Sequence, residues 1–438
     1  MERRQFRAPR GIRDVLPEEI PAWRLLEETA RGLAHLRGYR EIRPALLEEV
    51  ELFTRSVGEV TDIVQKEMFT LQKGESALAL RPEGTAGIVR AYLEAGYASA
   101  APLQRLFHIG PMFRYERPQK GRERMFTQFD VEVLGSLDAR LDAEVIFLAA
   151  AFFESVAIKV KAPGFRIARG ELEVRMNSMG DGDDRNTWKD AVRSFLAPTM
   201  AEHCELCRAR FERNVLRVLD CKNPRCKELN AGAPAILEYL SAENRAHFER
   251  VQEYLRVLGL PVVIDSSIVR GLDYYTRTVF EVHAPALGAR SALCGGGRYD
   301  HLIAELGGPD LGAVGFAVGF TSTLLLFNEL KKIDPKETVF DEGPALVFVV
   351  SAGEGLESDV FRLAEDLRKN EISAVYDVEQ RSLKAQMKLA GKGGHRYAVV
   401  VGGDELARGS VQLKDLEDGT QHELARVELV ARLRAGGV

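Results

Sequence analysis

Leu25, Leu26, Thr29, Leu33 and Leu36 recur at three- and four-residue spacing up to Gly38. That pattern predicts an amphipathic helix after the basic, proline-punctuated arm RAPRGIRDVLPEE. YREIRPALLEEVELF then reads as extended. Two strand-like stretches follow at 68–71 and 77–80, the second running into the turn RPEGT, and residues 86–97 return to a helix. From 105 to 135 the pattern is a hairpin: strand HIGPMFRYE, polar loop RPQKGRER, strand MFTQFDVEVLG. A helix over 141–160 is expected to cover it. Residues 183–262 are charged, helix-rich and cysteine-bearing, and they interrupt two stretches that read as strands of one sheet. They therefore read as an insertion. The sheet resumes near Val262, and from Thr276 the alternation of Thr278, Phe280 and Val282 with Arg277, Val279 and Glu281 marks a strand. After Leu326 the polar stretch KKIDPKETVFDEG has the composition of a linker. Beyond it, strands ALVFVVS, SAVYDV and YAVVVG alternate with helices over 359–369 and 383–390, followed by VQLKDL and a last helix. This makes a small α/β unit.

At 438 residues the chain is longer than one hydrophobic core supports, so two or three domains are expected. A content of 45% apolar and 29% charged residues is that of a soluble globular protein. The longest apolar run, 145–153, is too short to span a bilayer, and MERRQFRAPR offers no signal-peptide core. A cytoplasmic protein without membrane contact is expected. The net charge of -5 gives no global sign of a nucleic-acid partner, so any such contact must come from local patches.

Candidate chemistry concentrates in a few places. In the second hairpin strand Phe126, Gln128, Asp130 and Glu132 share one side, opposite the apolar row Thr127, Phe129, Val131 and Val133. Such a polar row faces either water at a solvated edge or a polar site. On the first strand Met112, Arg114 and Glu116 share a face, and the intervening loop adds Lys120, Arg122 and Arg124, a charge density suited to a polyphosphate or a nucleic-acid end. In RGLDYYTRTVFEV, Arg270 offers a bidentate fork for a carboxylate or phosphate, and Tyr274 and Tyr275 offer flat faces with hydroxyl tips. CGGGRYD fits no phosphate-loop pattern and by itself reads as a turn. Cys204 and Cys207, then Cys221 and Cys226, suit tetrahedral zinc better than disulfides in a reduced compartment, with His203 a further candidate. Unrelated thiols on a helix are the plain alternative, and the spacing alone assigns no metal ligand.

FRYERPQKGRERMFTQFDVEVLG resembles motif 2 of class II aminoacyl-tRNA synthetases, and YREIRPALLEEVELF resembles their motif 1. RGLDYYTRTVFEV is similar to the histidine-binding motif of the histidyl-tRNA synthetase family, RPEGTAGIVRAY to that family's amino-acid loop, and RSLKAQMKLAGKGGHRYAVVVGGDELARGSVQLKDL to its anticodon-binding domain. The resemblance covers nearly the whole chain, in order.

It implies an α/β (α+β) fold with a class II synthetase-type antiparallel sheet. The catalytic core would occupy 1–182 and 263–328, with a helical insertion at 183–262, a linker at 329–343 and a small α/β anticodon-binding domain at 344–438. The implied activity is that of an ATP-dependent aminoacyl-tRNA ligase using L-histidine, ATP with Mg²⁺, and tRNA(His), in a homodimer because motif 1 lies at the subunit interface. By motif match Arg114 holds the α-phosphate and the carboxylate, and Arg270 approaches from the other side. Phe126 stacks on adenine, and Glu116 accepts from its amino group. Glu83, Thr85 and Gln128 receive the ammonium, while Glu132, Tyr274 and Tyr299 surround the imidazole and Tyr275 packs beneath it.

One departure stands out. The third class II motif ends in a glutamate and an arginine, and here GAVGFAVGF is followed by Thr321 and Ser322. Losing that arginine's charge-assisted contact to the γ-phosphate costs about 1.5–3 kcal/mol unless Arg122 or Arg124 substitutes. The departure favours a second reading, a non-catalytic histidine-sensing regulatory paralogue. A purely RNA-binding module is a third, but it leaves Glu83, Gln128 and Glu132 without purpose.

Overall fold

The computed structural model describes residues 6–59, 61–119, 121–160, 171–219, 221, 223–268, 272–285, 292–329 and 346–435. Lys120, Arg270 and, from 330 onward, the linker expected at 329–343 lie outside the described residues. The chain divides into two units, Met1–Phe340 and Asp341–Val438.

The first unit opens with α1 (Ile20–His35), β1 (Arg40–Glu41), β2 (Leu47–Glu49), α2 (Val50–Val57), β3 (Phe69–Lys73), β4 (Ser76–Leu80), α3 (Thr85–Glu94) and α4 (Tyr97–Ala100). The hairpin strands β5 (Gln104–Phe113) and β6 (Met125–Leu134) lead to α5 (Ala139–Lys159) and β7 (Glu173–Ser178). Helices α6 (Asp183–Leu196), α7 (Glu205–Arg213), α8 (Leu216–Leu219), α9 (Pro224–Asn230) and α10 (Ala242–Val257) come next. The unit closes with β8 (Val263–Ile264), β9 (Thr276–His283), β10 (Ala292–Arg298), α11 (Leu302–Glu305), β11 (Ala313–Gly319) and α12 (Phe320–Glu329). Among the described residues an eight-stranded sheet runs β1-β5-β6-β11-β10-β9-β7-β8, antiparallel except at the β1–β5 and β7–β8 pairs.

Strand alternation decides which face carries the core. Phe129, Val131 and Val133 of β6 join one apolar cluster with Phe280 and Val282 of β9 and Val314, Phe316 and Val318 of β11. Helix α5 seals this cluster, and α1 and α10 pack into it as well. Val145, Ile146, Leu148, Ala149, Ala150, Phe152 and Phe153 are all buried, so α5 is enclosed on nearly every side. That is why this stretch reads as an uninterrupted apolar run rather than an amphipathic stripe. Each such large side chain contributes about 1.5–3 kcal/mol by burial.

Two local readings change. In the segment expected to be extended, α2 starts at Val50, because Phe53, Ser56 and Val57 bury one helical face. CGGGRYD is not a turn but contributes the strand β10, hydrogen-bonded between β9 and β11. Its glycines hide the strand from a propensity reading, yet the packing requires them: a Cβ on Gly296 would collide with the Gly315 carbonyl oxygen.

The second unit contains β12 (Val347–Ser351), α13 (Glu357–Lys369), β13 (Ala374–Tyr376), α14 (Leu383–Lys392), β14 (Tyr397–Val401), α15 (Gly403–Ala407), β15 (Ser410–Asp415), β16 (Gln421–Ala425) and α16 (Leu429–Ala435). Its sheet order is β13-β12-β14-β15-β16, parallel through β14 and antiparallel beyond. The mostly exposed edge strand β16 carries no apolar alternation and left no sequence signal. Among the described residues no helix is long and apolar enough to cross a membrane.

Candidate active site

The polar row of β6 faces a cleft of about 460 Å³, not a solvated edge. Asp130 and Glu132 are each 1% exposed because β6 is an interior strand between β5 and β11. Glu83, Thr85, Arg114, Glu116, Phe126, Gln128, Tyr274, Tyr275 and Tyr299 all line the cleft. Glu132 bonds to two of them. Arg270 lies outside the described residues.

The RPEGT turn is held from below by Arg81. Its Nε donates to the Pro111 carbonyl at 2.9 Å, its Nη1 to the Pro44 carbonyl at 2.9 Å, and its Nη2 meets His108 Nε2 at 2.8 Å. Because guanidinium only donates, Nε2 of His108 accepts, and its Nδ1 donates to the Ile42 carbonyl at 2.9 Å. Burial and the adjacent Arg81 charge lower the His108 pKa to about 4. With the turn so anchored, α3 begins at Thr85. The Glu83 carboxylate accepts from the Thr85 and Ala86 N–H groups, both at 2.9 Å, satisfying donors that a helix start leaves open.

Three carboxyl groups crowd this end of the cleft. Glu132 accepts from Thr85 Oγ1 at 2.6 Å through one oxygen and from the Tyr299 hydroxyl through the other. Burial pushes the Glu132 carboxyl well up despite these donors. Asp130 is raised well above its ordinary value by burial and then by the Glu83 charge. Burial likewise raises Glu83 against the opposing N–H groups and Arg114. Among the described residues Asp130 Oδ2 and Gln128 Oε1 are buried with no hydrogen-bond partner. Acceptors left open among carboxyls that resist ionisation suit a cationic, proton-donating ligand. Tyr274 packs edge-on to Tyr299 at 5.5 Å and against Tyr275 at 4.8 Å, forming an aromatic wall beside them.

Tyr299 is held in place by its neighbour. Arg298, with no exposed surface, donates to both oxygens of Asp142 at 3.1 and 2.9 Å, to Asp300 at 2.8 Å and to the Ser136 carbonyl. Burial alone would raise Asp142, yet Arg298 and His247 hold it below the usual carboxylate range. A Cβ on the facing Gly315 would collide with the Glu132 carboxylate, so that strand must be bare where the acid sits.

The other end of the cleft is cationic and aromatic. Arg114 donates Nε to the Pro82 carbonyl at 2.8 Å, its guanidinium 5.4 Å from the Phe126 ring centroid. Glu116 pairs with Arg122 at 3.3 Å. Where motif 3 would place an arginine, Ser322 Oγ lies 3.4 Å from the Gly121 carbonyl and Thr321 Oγ1 lies 3.4 Å from Glu123. Arg122 lines the cleft. Arg124 instead stacks on Tyr115 at 3.7 Å and donates to the backbone of Arg10 and Glu116.

Several charged residues line the cleft without having been among the expected site residues, Asp130, Asp62 and Arg217 among them. Asp130 had a signal, its place in the polar alternation. Asp62 and Arg217 had none: they form an ion pair across 155 positions, carrying an arginine of α8 to the cleft wall.

An antiparallel sheet with an acid-lined, arginine-bearing cleft on one face and a separate small α/β unit is the architecture of a class II aminoacyl-tRNA synthetase. A family model described as histidyl-tRNA synthetase matches residues 11–322, and one described as anticodon binding domain matches 346–436. The chain is 45% identical to the histidine–tRNA ligase of Moorella thermoacetica over 423 residues, covering 96% of each chain. It is also 45% identical to that of Desulforudis audaxviator, covering 97% of this chain and 98% of the relative. The crystal structure of apo histidyl-tRNA synthetase from S. aureus superposes with a TM-score of 0.78 at 32% identity, covering 98% of this chain and all of that one. The chain belongs to the histidyl-tRNA synthetase family.

Proposed function

We propose that this chain is a histidine–tRNA ligase, which joins L-histidine to ATP as histidyl-adenylate with release of pyrophosphate and then passes the histidyl group to tRNA(His). The observation that carries this reading is one cleft in which carboxyl and amide acceptors, unpartnered among the described residues, adjoin Arg114 and Phe126. The histidine ammonium is received by Glu83, Thr85 and Gln128, to which we add Asp130. The imidazole lies between Glu132, Tyr274 and Tyr299 with Tyr275 beneath, so that donor and acceptor groups read both ring nitrogens. Phe126 stacks on adenine and Glu116 accepts from its amino group. Arg114 holds the histidine carboxylate against the α-phosphorus, and Arg270 takes the opposite side by motif match. Catalysis then consists of positioning and of stabilising phosphoryl charge, with no protein nucleophile.

Arg122, already on the cleft wall, supplies the γ-phosphate contact in place of the arginine that Ser322 replaces. Cleft carboxylates Glu67 and Glu123 offer hard oxygen donors of the kind that Mg²⁺ takes, so the residues present fit an ATP-bound Mg²⁺, which would screen charge on the leaving pyrophosphate. The second unit reads the anticodon end of the RNA. We place the enzyme in the cytoplasm, where its thiols stay reduced, as a homodimer through the motif 1 segment.

Histidine-dependent exchange of pyrophosphate into ATP tests the reading. Exchange abolished by omitting histidine is expected. Histidine binding without any exchange would transfer the protein to the regulatory reading.

A further inference from the structure

The helical stretch between β7 and β8 holds four thiols that aminoacylation does not use. Cys204 precedes α7 and Cys207 lies in its first turn, Cys221 follows α8, and Cys226 lies in α9. Their sulfur atoms all lie within 4.8 Å of one another. Cys204 Sγ and Cys221 Sγ are 3.9 Å apart, and the Cys204 N–H donates to Cys226 Sγ at 3.3 Å. Cys207, Cys221 and Cys226 are buried and Cys204 is half-buried. A tetrahedron with metal–sulfur bonds of about 2.3 Å has an edge of about 3.8 Å, close to the Cys204–Cys221 separation. A disulfide would need about 2.05 Å.

We propose that Cys204, Cys207, Cys221 and Cys226 bind one Zn²⁺ in a tetrahedral four-sulfur site that folds this part of the chain. Four of the five cysteines converge on one point, the fifth being Cys294 in β10. Apolar packing treats a thiol as one small hydrophobe among many and gives no reason for such convergence. The helices also need a staple: α7, α8 and α9 have nine, four and seven residues, lengths that are not stable alone. Binding replaces four S–H bonds by four zinc–sulfur bonds and releases four protons to solvent, leaving every oxidation state unchanged. Thiolate donors select zinc over the Mg²⁺ that accompanies ATP. His203 is not a ligand, since its Nδ1 lies 3.0 Å from the Thr199 carbonyl and its Nε2 lies 3.1 Å from Asn230 Oδ1. Between the two cysteine pairs runs α8, whose Arg217 pairs with Asp62 at the cleft, where Arg210 of α7 also lies 3.7 Å away. The metal thus fixes the segment that delivers Arg217 to the cleft wall.

The test is metal analysis of the full-length protein, purified under reducing conditions without a metal-affinity step. About one zinc per chain is expected, and replacement by Co²⁺ should give the intense visible bands of a tetrahedral thiolate site. Cys221→Ser and Cys226→Ser should each lose most of the metal; if either fails to fold, the wild-type count and the cobalt spectrum still decide. Less than about a tenth of an equivalent would overturn the proposal, as would iron in place of zinc or a mass loss showing disulfides. None of these readouts depends on catalysis, so they stand apart from the ligase reading.

Discussion

Glu132→Gln tests the proposed recognition of the imidazole. The wild-type carboxyl is 1% exposed and accepts from two hydroxyls, Thr85 Oγ1 at 2.6 Å and Tyr299. Glutamine has the same shape, and its amide can accept one hydroxyl and donate to the other, which only has to rotate. The fold should therefore lose about 1 kcal/mol or less. What disappears is the charge-assisted hydrogen bond to the imidazole N–H, worth about 1.5–3 kcal/mol in a buried setting. At about 1.36 kcal/mol per decade, the histidine Kd should rise about 10- to 150-fold. Calorimetric titration with histidine measures this directly. In pyrophosphate exchange KM for histidine should rise by the same factor while KM for ATP stays put. Burial raises the pKa of this carboxyl, and the bond to the imidazole N–H requires its deprotonated form. The pH dependence that this deprotonation adds to binding should vanish in the variant. A Kd within threefold of wild type, or an equal rise in KM for ATP, would refute the assignment.

Two further predictions concern the scaffold. Arg298→Met leaves Asp142 buried without its guanidinium partner, at an expected cost of about 3–5 kcal/mol, read as a lower urea midpoint that the double variant with Asp142→Asn partly restores. The folded pKa of His108, about 4, lies below the unfolded value near 6.5, so the unfolded chain binds the proton first and stability falls as pH drops from about 6.5 to 4, by up to about 3 kcal/mol. His108→Gln keeps an acceptor for Arg81 and a donor for Ile42, and comparing urea midpoints across that window should show a smaller pH dependence than wild type.

Much of the site was legible before folding, because chemistry-bearing residues clustered in short segments with a clear period. The alternation through Phe126, Gln128, Asp130 and Glu132 marked a polar face, and RPEGT and RGLDYY carried the companion residues. That alternation could not say whether the face met solvent or a ligand. Pairing excluded a solvated sheet edge: β6 lies between β5 and β11, and its polar row lines a cleft. Periodicity also failed at β10, where glycine is required by the approach of neighbouring strands rather than by any turn.

The hairpin, the polar row and most of the residues that line the cleft were thus legible in the sequence alone, since each is a property of neighbours in the chain. Only the tertiary structure decided that Arg298 clasps Asp142 across 156 positions, that Arg217 reaches Asp62, and that four separated thiols meet. Such contacts depend on strand register and on where helices land after the core closes, and an ion pair or a thiol cluster leaves no period in the segments that supply it.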